Sequence, residues 1–157
     1  MNPGTTSLRW LGLALAALLA CTGSCKRATP IEVAPDPELA DVPVEKALEI
    51  LRKLLPSAEY LWCTNPKESY KPTEVKEWSV GKDVLRIVPV KEKYPTFVLN
   101  YSDLVSTRLD KIGRYFTAKV FSRMQSDPNK EYLAFQWKTQ EPAEQVVKMF
   151  ESIRLKK

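Results

Sequence analysis

Three cysteines are the residues best suited to covalent chemistry in this sequence: Cys21, Cys25 and Cys63. A cysteine thiolate can attack an electrophile, bind a metal or form a disulfide. The sequence contains no histidine, the side chain that most often activates a nucleophile and binds zinc. We therefore expect no metal site, and no histidine is present to turn Cys63 into a catalytic nucleophile.

Other sequence signs of catalysis are also missing. The sequence has only five glycines and contains neither a glycine-rich phosphate loop nor a nucleophile elbow. Asp103 and Asp110 lie on or beside one predicted strand, but we expect two such isolated carboxylates to be solvated at the surface rather than to act as acid and base. The sequence thus predicts a protein that is not an enzyme and needs no cofactor.

An uncharged segment, residues 10–20, follows Arg9 near the start of the sequence. As a helix it would span about 16 Å at ~1.5 Å per residue, half of a ~30 Å hydrocarbon core. This length suits the apolar region of a secretory signal better than a membrane span. The alternative is a buried core helix. We expect residues 1–20 to be a signal peptide and the chain to be exported.

The residues at the end of this segment resemble the lipobox of bacterial lipoproteins. Leu18, Leu19, Ala20 and Cys21 supply a leucine, a small residue directly before the cysteine, and the cysteine itself, although Leu19 is bulkier than usual. The resemblance implies cleavage before Cys21 and a diacylglycerol on its sulfur, which would anchor the protein to a bacterial membrane facing the periplasm. Thr22 follows where an inner-membrane lipoprotein can carry Asp, which favours the outer membrane. Secretion without a lipid is the alternative.

Lipidation of Cys21 would leave two cysteines for other chemistry. A disulfide between Cys25 and Cys63 is reasonable in an oxidising compartment. A buried thiol at Cys63 is the other interpretation.

Basic residues are dispersed along the sequence. The formal net charge is +5, but no Lys/Arg-rich segment is present, so nucleic acid is an unexpected partner. Lys91, Lys93, Lys111 and Arg114 lie near predicted loops. They form either a patch for anionic lipid headgroups or an ordinary solvated surface.

Residues 21–42 contain three prolines and no apolar period, which predicts a flexible tether; a strap packed on the domain is the alternative. Residues 43–157 are expected to form one α+β domain. Apolar residues recur at helical spacing from Pro43 to Pro56 and again after Pro142. Between them we expect about six antiparallel strands, including two hairpins whose turns contain Gly81 and Gly113.

Residues 74–155 resemble a pleckstrin-homology-like domain. The resemblance lies in a strand entering a turn at residues 97–104, the strand at 132–137, and a closing amphipathic helix with Ala143, Val147 and Phe150. It implies a bent antiparallel sheet or barrel plugged by the last helix, but it does not define a function. The hypothesis is a lipid-anchored, non-catalytic module that binds an envelope protein. The alternative is binding of anionic lipid or an envelope polymer.

Overall fold

The structure, a computed structural model, describes residues 27–34, 37–64, 67–92, 94, 96–124 and 131–157. It confirms the α+β class. Two α-helices, α1 (Val44–Leu54) and α2 (Gln140–Arg154), accompany nine antiparallel strands in these residues. The strands are β1 (Ala28–Ile31), β2 (Tyr60–Thr64), β3 (Lys67–Tyr70), β4 (Val75–Val80), β5 (Val84–Pro89), β6 (Phe97–Asn100), β7 (Leu104–Ile112), β8 (Tyr115–Ser122) and β9 (Leu133–Trp137).

The strands form two separate sheets. Six lie in the order β1-β7-β8-β9-β2-β3, and three in the order β4-β5-β6. The pleckstrin-homology resemblance implies either a bent sheet or a barrel, and within the described residues the strands do not close into a barrel. Helix α2 instead packs along β7, β8 and β9, and α1 packs on α2 and β4.

Both predicted hairpins are confirmed. β4 and β5 flank the turn at Gly81, and β7 and β8 flank the turn at Gly113. Gly113 has φ of 60°, a left-handed conformation that glycine adopts without a Cβ penalty. The same turn fixes the register Ile112↔Tyr115, from which the pairing follows as far as Ser106↔Phe121; a bulge then shifts the register before Leu104↔Ser122.

Two strands contradict the sequence-based expectations, which raises the strand count above six. Pro66 and Pro72, set among polar residues, predict a loop over residues 64–73, yet β3 pairs with β2 there. This strand is polar because it lies at the sheet edge and pairs on one side only. The other unexpected strand, β1, pairs with β7 and places Ala28 opposite Ile112.

The described part of the predicted flexible tether is instead the alternative, a strap packed on the domain. Pro30 is compatible with β1 because this strand lies at the sheet edge. Ile31 at the end of β1, and Val33 and Leu39 beyond it, pack against the core. These apolar residues are spaced irregularly among prolines and follow no helical or strand period, so the sequence pattern does not predict that the strap packs on the domain. Residues 1–26, including the predicted signal peptide and Cys21, lie outside the described residues.

The core lies between the six-stranded sheet on one side and α2 with the three-stranded sheet on the other. Phe135 of β9 contacts Trp78 of β4, with ring centroids 6.4 Å apart. Phe97 and Tyr132 form a second ring contact at 5.0 Å, and the Tyr132 hydroxyl donates to the Val98 carbonyl at 2.8 Å. Aromatic packing therefore holds the two sheets together.

Tyr101 is buried in this core, and its hydroxyl has no hydrogen-bond partner among the described residues. Burial raises the pKa of this phenol because the charged form is poorly solvated there. We expect Tyr101→Phe to increase the free energy of unfolding by about 1 kcal/mol, because it removes an unsatisfied polar group. Tyr132→Phe is the matched control. It should lower the free energy of unfolding by a similar amount, because it removes the hydrogen bond from the Tyr132 hydroxyl to the Val98 carbonyl.

The raised pKa also gives this substitution a pH dependence. The unfolded phenol ionises near pH 10, whereas the folded one stays protonated, so Tyr101 costs stability as pH rises above about 10. Tyr101→Phe should therefore increase the free energy of unfolding, measured in urea, by more at pH 10.5 than at neutral pH. An increase that is the same or smaller at pH 10.5 would contradict this account.

Candidate functional site

The outer face is the side of the six-stranded sheet opposite the helices. Strand register places Tyr60 and Trp62 of β2, Arg108 of β7 and Tyr115 of β8 on it, because these residues alternate with the core-facing ones. The Tyr60 and Tyr115 rings meet edge to face with centroids 5.8 Å apart. Tyr60, Trp62 and Tyr115 are half-buried, so the outer face offers aromatic surface beside charged groups.

A buried ion-pair network forms the centre of the outer face. The Asp110 carboxylate is completely buried and accepts two hydrogen bonds from the Arg108 guanidinium, at 2.8 and 3.0 Å. Lys119 Nζ lies 2.9 Å from the same carboxylate and 3.8 Å from Glu131. Two cations and two anions thus neutralise one another. This pairing supports a structural role for these four residues, which we name the outer-face network.

Aromatic contacts fix the outer-face network in place. The Trp62 indole Nε1 donates to a Glu131 carboxylate oxygen at 3.2 Å. The Arg108 guanidinium carbon lies 5.4 Å from the centroid of the Phe121 ring. Charged and aromatic side chains therefore hold each other in position, which makes this surface rigid.

The expectation of solvated carboxylates was wrong for Asp110. Its neighbours Arg108 and Lys119 lie across it and exclude water, which the spacing of the two acids in sequence does not reveal. Asp103 is half-buried in the turn before β7, where it accepts a hydrogen bond from Asn100 Nδ2 at 3.2 Å. The two carboxylates lie near opposite ends of β7 and do not form a catalytic pair.

Two residues of the predicted basic patch lie together at the β7–β8 hairpin. Lys111 Nζ is 5.5 Å from the centroid of the Phe116 ring, and the Arg114 guanidinium carbon is 5.1 Å from that of Tyr115. Arg114 also donates to the Tyr115 hydroxyl at 2.9 Å, a contact that raises the pKa of the guanidinium. Both cations are exposed at the tip of the hairpin.

Lys91, the third member, follows β5 in the other sheet. It lies 3.7 Å from Glu74, an exposed pair, and over the ring of Tyr94. The pKa of the Glu74 carboxyl is lowered, first by the backbone N–H of Lys71 and then by the positive charge of Lys91. Lys93, the fourth member, lies outside the described residues.

A series of contacts places Lys91 at the same end of the domain as the hairpin tip. Tyr60, which contacts Tyr115, lines a depression of about 410 Å³ together with Lys71 and Pro72. Lys71 in turn accepts the backbone N–H of Glu74, the partner of Lys91. We name this part of the molecule the hairpin end: Arg27, Glu59, Lys71, Glu74, Lys91, Lys111, Arg114 and Lys138. Glu74 pairs with Lys91 and Glu59 with Lys138, so Lys91, Lys111 and Arg114 share one end without forming one continuous patch.

A cavity of about 290 Å³ lies beneath the strap, between Ile31, Val33 and Leu39 on one side and β7 with α2 on the other. Its polar wall is Glu151, which accepts the backbone N–H and the hydroxyl of Thr107, both at 3.0 Å. Arg154 Nε lies 2.6 Å from the same carboxylate. This glutamate therefore ties α2 to the edge of β7.

The cysteine predictions lie mostly outside the described residues. Cys63 is buried on the core side of β2, whereas Cys25 belongs to the part of the sequence that is not described. The Cys25–Cys63 disulfide therefore stays a prediction. The same holds for Leu18, Leu19, Ala20 and the lipid on Cys21.

The described residues contain no group of three or more cysteine, aspartate or glutamate side chains arranged to hold a metal ion. In that part of the chain neither helix is long and apolar enough to cross a membrane.

Comparisons with known proteins were made at three levels. The sequence matches no protein-family model, no curated protein and no solved structure. Proposals about function therefore depend on the residues and the geometry of this chain.

Proposed function

We propose that this chain is an exported bacterial lipoprotein, anchored through a diacylglycerol on Cys21, whose domain is a non-catalytic binding module facing the periplasm. The observation that carries the anchor is the tetrapeptide Leu18 to Cys21, placed directly behind an uncharged segment of secretory length. Thr22 favours retention at the outer membrane.

The binding role is supported by the outer face. Tyr60, Trp62 and Tyr115 leave part of their surface accessible, and aromatic side chains of this kind are enriched where proteins bind each other. The charged residues beside them are already paired, so they supply a rigid polar border rather than acid–base groups. A rigid aromatic surface loses little entropy on binding, which suits recognition of a protein partner.

Photo-crosslinking in intact cells tests this role. A benzoyl-phenylalanine residue at position 60 or 115 is expected to form the same discrete adduct, because the two tyrosines are in contact on the outer face. The matched control is Lys53, an exposed residue of α1. No adduct from either tyrosine position, or the same adduct from position 53, would overturn the proposed binding surface.

The second candidate function, binding of anionic lipid or envelope polymer, is supported by the exposed pair Lys111 and Arg114. These two cations share one hairpin tip. Basic side chains close to an anionic membrane surface each contribute about 1 kcal/mol to binding. Such a contact would add to the lipid anchor and leave the outer face available to a protein.

A further inference from the structure

The strap shortens the connection between the proposed anchor and the domain. Cys21 precedes Ala28 by seven residues, and Ala28 is already paired with Ile112. Seven residues reach at most about 25 Å when fully extended. A flexible tether that continued to residue 42 would let the domain rotate freely at a distance, whereas this connection restricts which side can approach the bilayer.

The point of entry selects the hairpin end. β1 begins at Ala28, opposite Ile112, and runs toward Ile31, opposite Leu109, so the chain enters the domain beside the β7–β8 turn. The β4–β5 turn lies at the other end: Asp83 accepts the backbone N–H of Tyr101, three residues before β7 begins. Because β7 has nine residues at about 3.3 Å each, roughly 25–30 Å separates the two ends.

The charges at the hairpin end complement an anionic surface. Arg27, Lys111 and Arg114 are exposed around the point of entry. Of the acids at this end, Glu59 lies 3.2 Å from Lys138 and Glu74 lies 3.7 Å from Lys91, so each is paired with a lysine. Glu92 is exposed beside Lys91. Glu141 is exposed at this end as well, because α2 begins directly after β9, whose Trp137 pairs with Phe116 beside the hairpin turn. The six described cations of the hairpin end still outnumber these four acids, and three of the cations lie around the point of entry.

We propose that the hairpin end rests against the anionic phospholipid surface of the membrane that holds the anchor, with Arg27, Lys111 and Arg114 at the headgroups. This orientation rests on the proposed lipidation of Cys21. Tyrosines are favoured at the membrane–water interface. Tyr115 lies beside Arg114, so in this orientation its ring would lie close to that interface. The outer face would then stand roughly upright on the membrane and stay open to a periplasmic partner.

Energy transfer on the mature full-length protein tests this orientation. A donor dye is attached to Lys138→Cys at the hairpin end or to Lys82→Cys at the β4–β5 turn, both in a Cys25→Ser background. Both substitutions replace an exposed lysine, so they are matched. The protein is reconstituted into phosphatidylglycerol-containing vesicles with acceptor-labelled headgroups. We expect several-fold more efficient transfer from position 138. Equal transfer, or more efficient transfer from position 82, would overturn the orientation.

Charge reversal tests the lipid contact itself. The double substitution Lys111→Glu and Arg114→Glu is expected to remove the difference in energy-transfer efficiency between positions 138 and 82. We expect 1 M salt to have the same effect. For the matched control, Lys53→Glu should preserve the difference. If the double variant also preserves it, these cations do not hold the hairpin end at the lipid surface. A chain without the Cys21 lipid would instead fail to float with the vesicles in high salt, so failure of the anchor is distinguishable from failure of the orientation.

Discussion

Asp110→Ala is expected to lower the free energy of unfolding by about 3–5 kcal/mol, as measured by urea denaturation at neutral pH. The substitution removes a fully buried carboxylate from between two cations. Arg108 can turn toward water, but Lys119, whose side chain is only 8% exposed, would be left with Glu131 at 3.8 Å. The cost arises mainly from this poorly compensated charge.

A double-mutant cycle separates that cost from a general loss of packing. Asp110→Val combined with Lys119→Met removes both buried charges. We expect its loss in free energy of unfolding to be smaller, by at least about 1.5 kcal/mol, than the summed losses of the two single substitutions. Glu49→Ala is the control, because its pair with Lys46 is largely exposed and should contribute under about 0.5 kcal/mol. Strictly additive losses would contradict the outer-face network.

Phe135→Ala is expected to lower the free energy of unfolding by about 3–5 kcal/mol, because it leaves a cavity where the two sheets meet. Phe135 is fully buried, and its ring lies 6.4 Å from Trp78 and 6.2 Å from Trp137, measured between centroids. The substitution should also change the tryptophan emission of the native state, because it alters the surroundings of both indoles.

Two substitutions bracket this prediction. Phe135→Leu keeps most of the volume and should lose clearly less than Phe135→Ala. Val105→Ala, at an exposed position, should change the free energy of unfolding by no more than about 0.5 kcal/mol. A loss of less than about 1.5 kcal/mol for Phe135→Ala would mean that this residue does not join the sheets.

The sequence predicts well wherever local signals agree. Helical spacing located both helices, and the glycine turns located both hairpins. In the second hairpin the register also follows from the turn: once Ile112 pairs with Tyr115, Arg108 must pair with Lys119. Alternation then places Arg108, Asp110 and Lys119 on one face, so a buried ion pair could have been suspected from the sequence.

Other features depend on tertiary structure that local signals do not encode. β1 forms because the edge of β7 is available for pairing and because Ile31 and Val33 reach the core, although the surrounding prolines are typical of a linker. Lys91 belongs to a different sheet from Lys111, so only the fold places them at one end. Glu131 reaches Lys119 and Trp62 only because β2, β8 and β9 are neighbours.

The intact mass of the mature protein, purified in detergent from a bacterial membrane fraction, tests the proposed anchor most directly. We predict a chain that begins at Cys21 and carries the added mass of a diacylglycerol, which Cys25→Ser retains and Cys21→Ser loses. A mature protein without a lipid on Cys21, or one that begins at another residue, would contradict the anchor and with it the proposed orientation on the membrane.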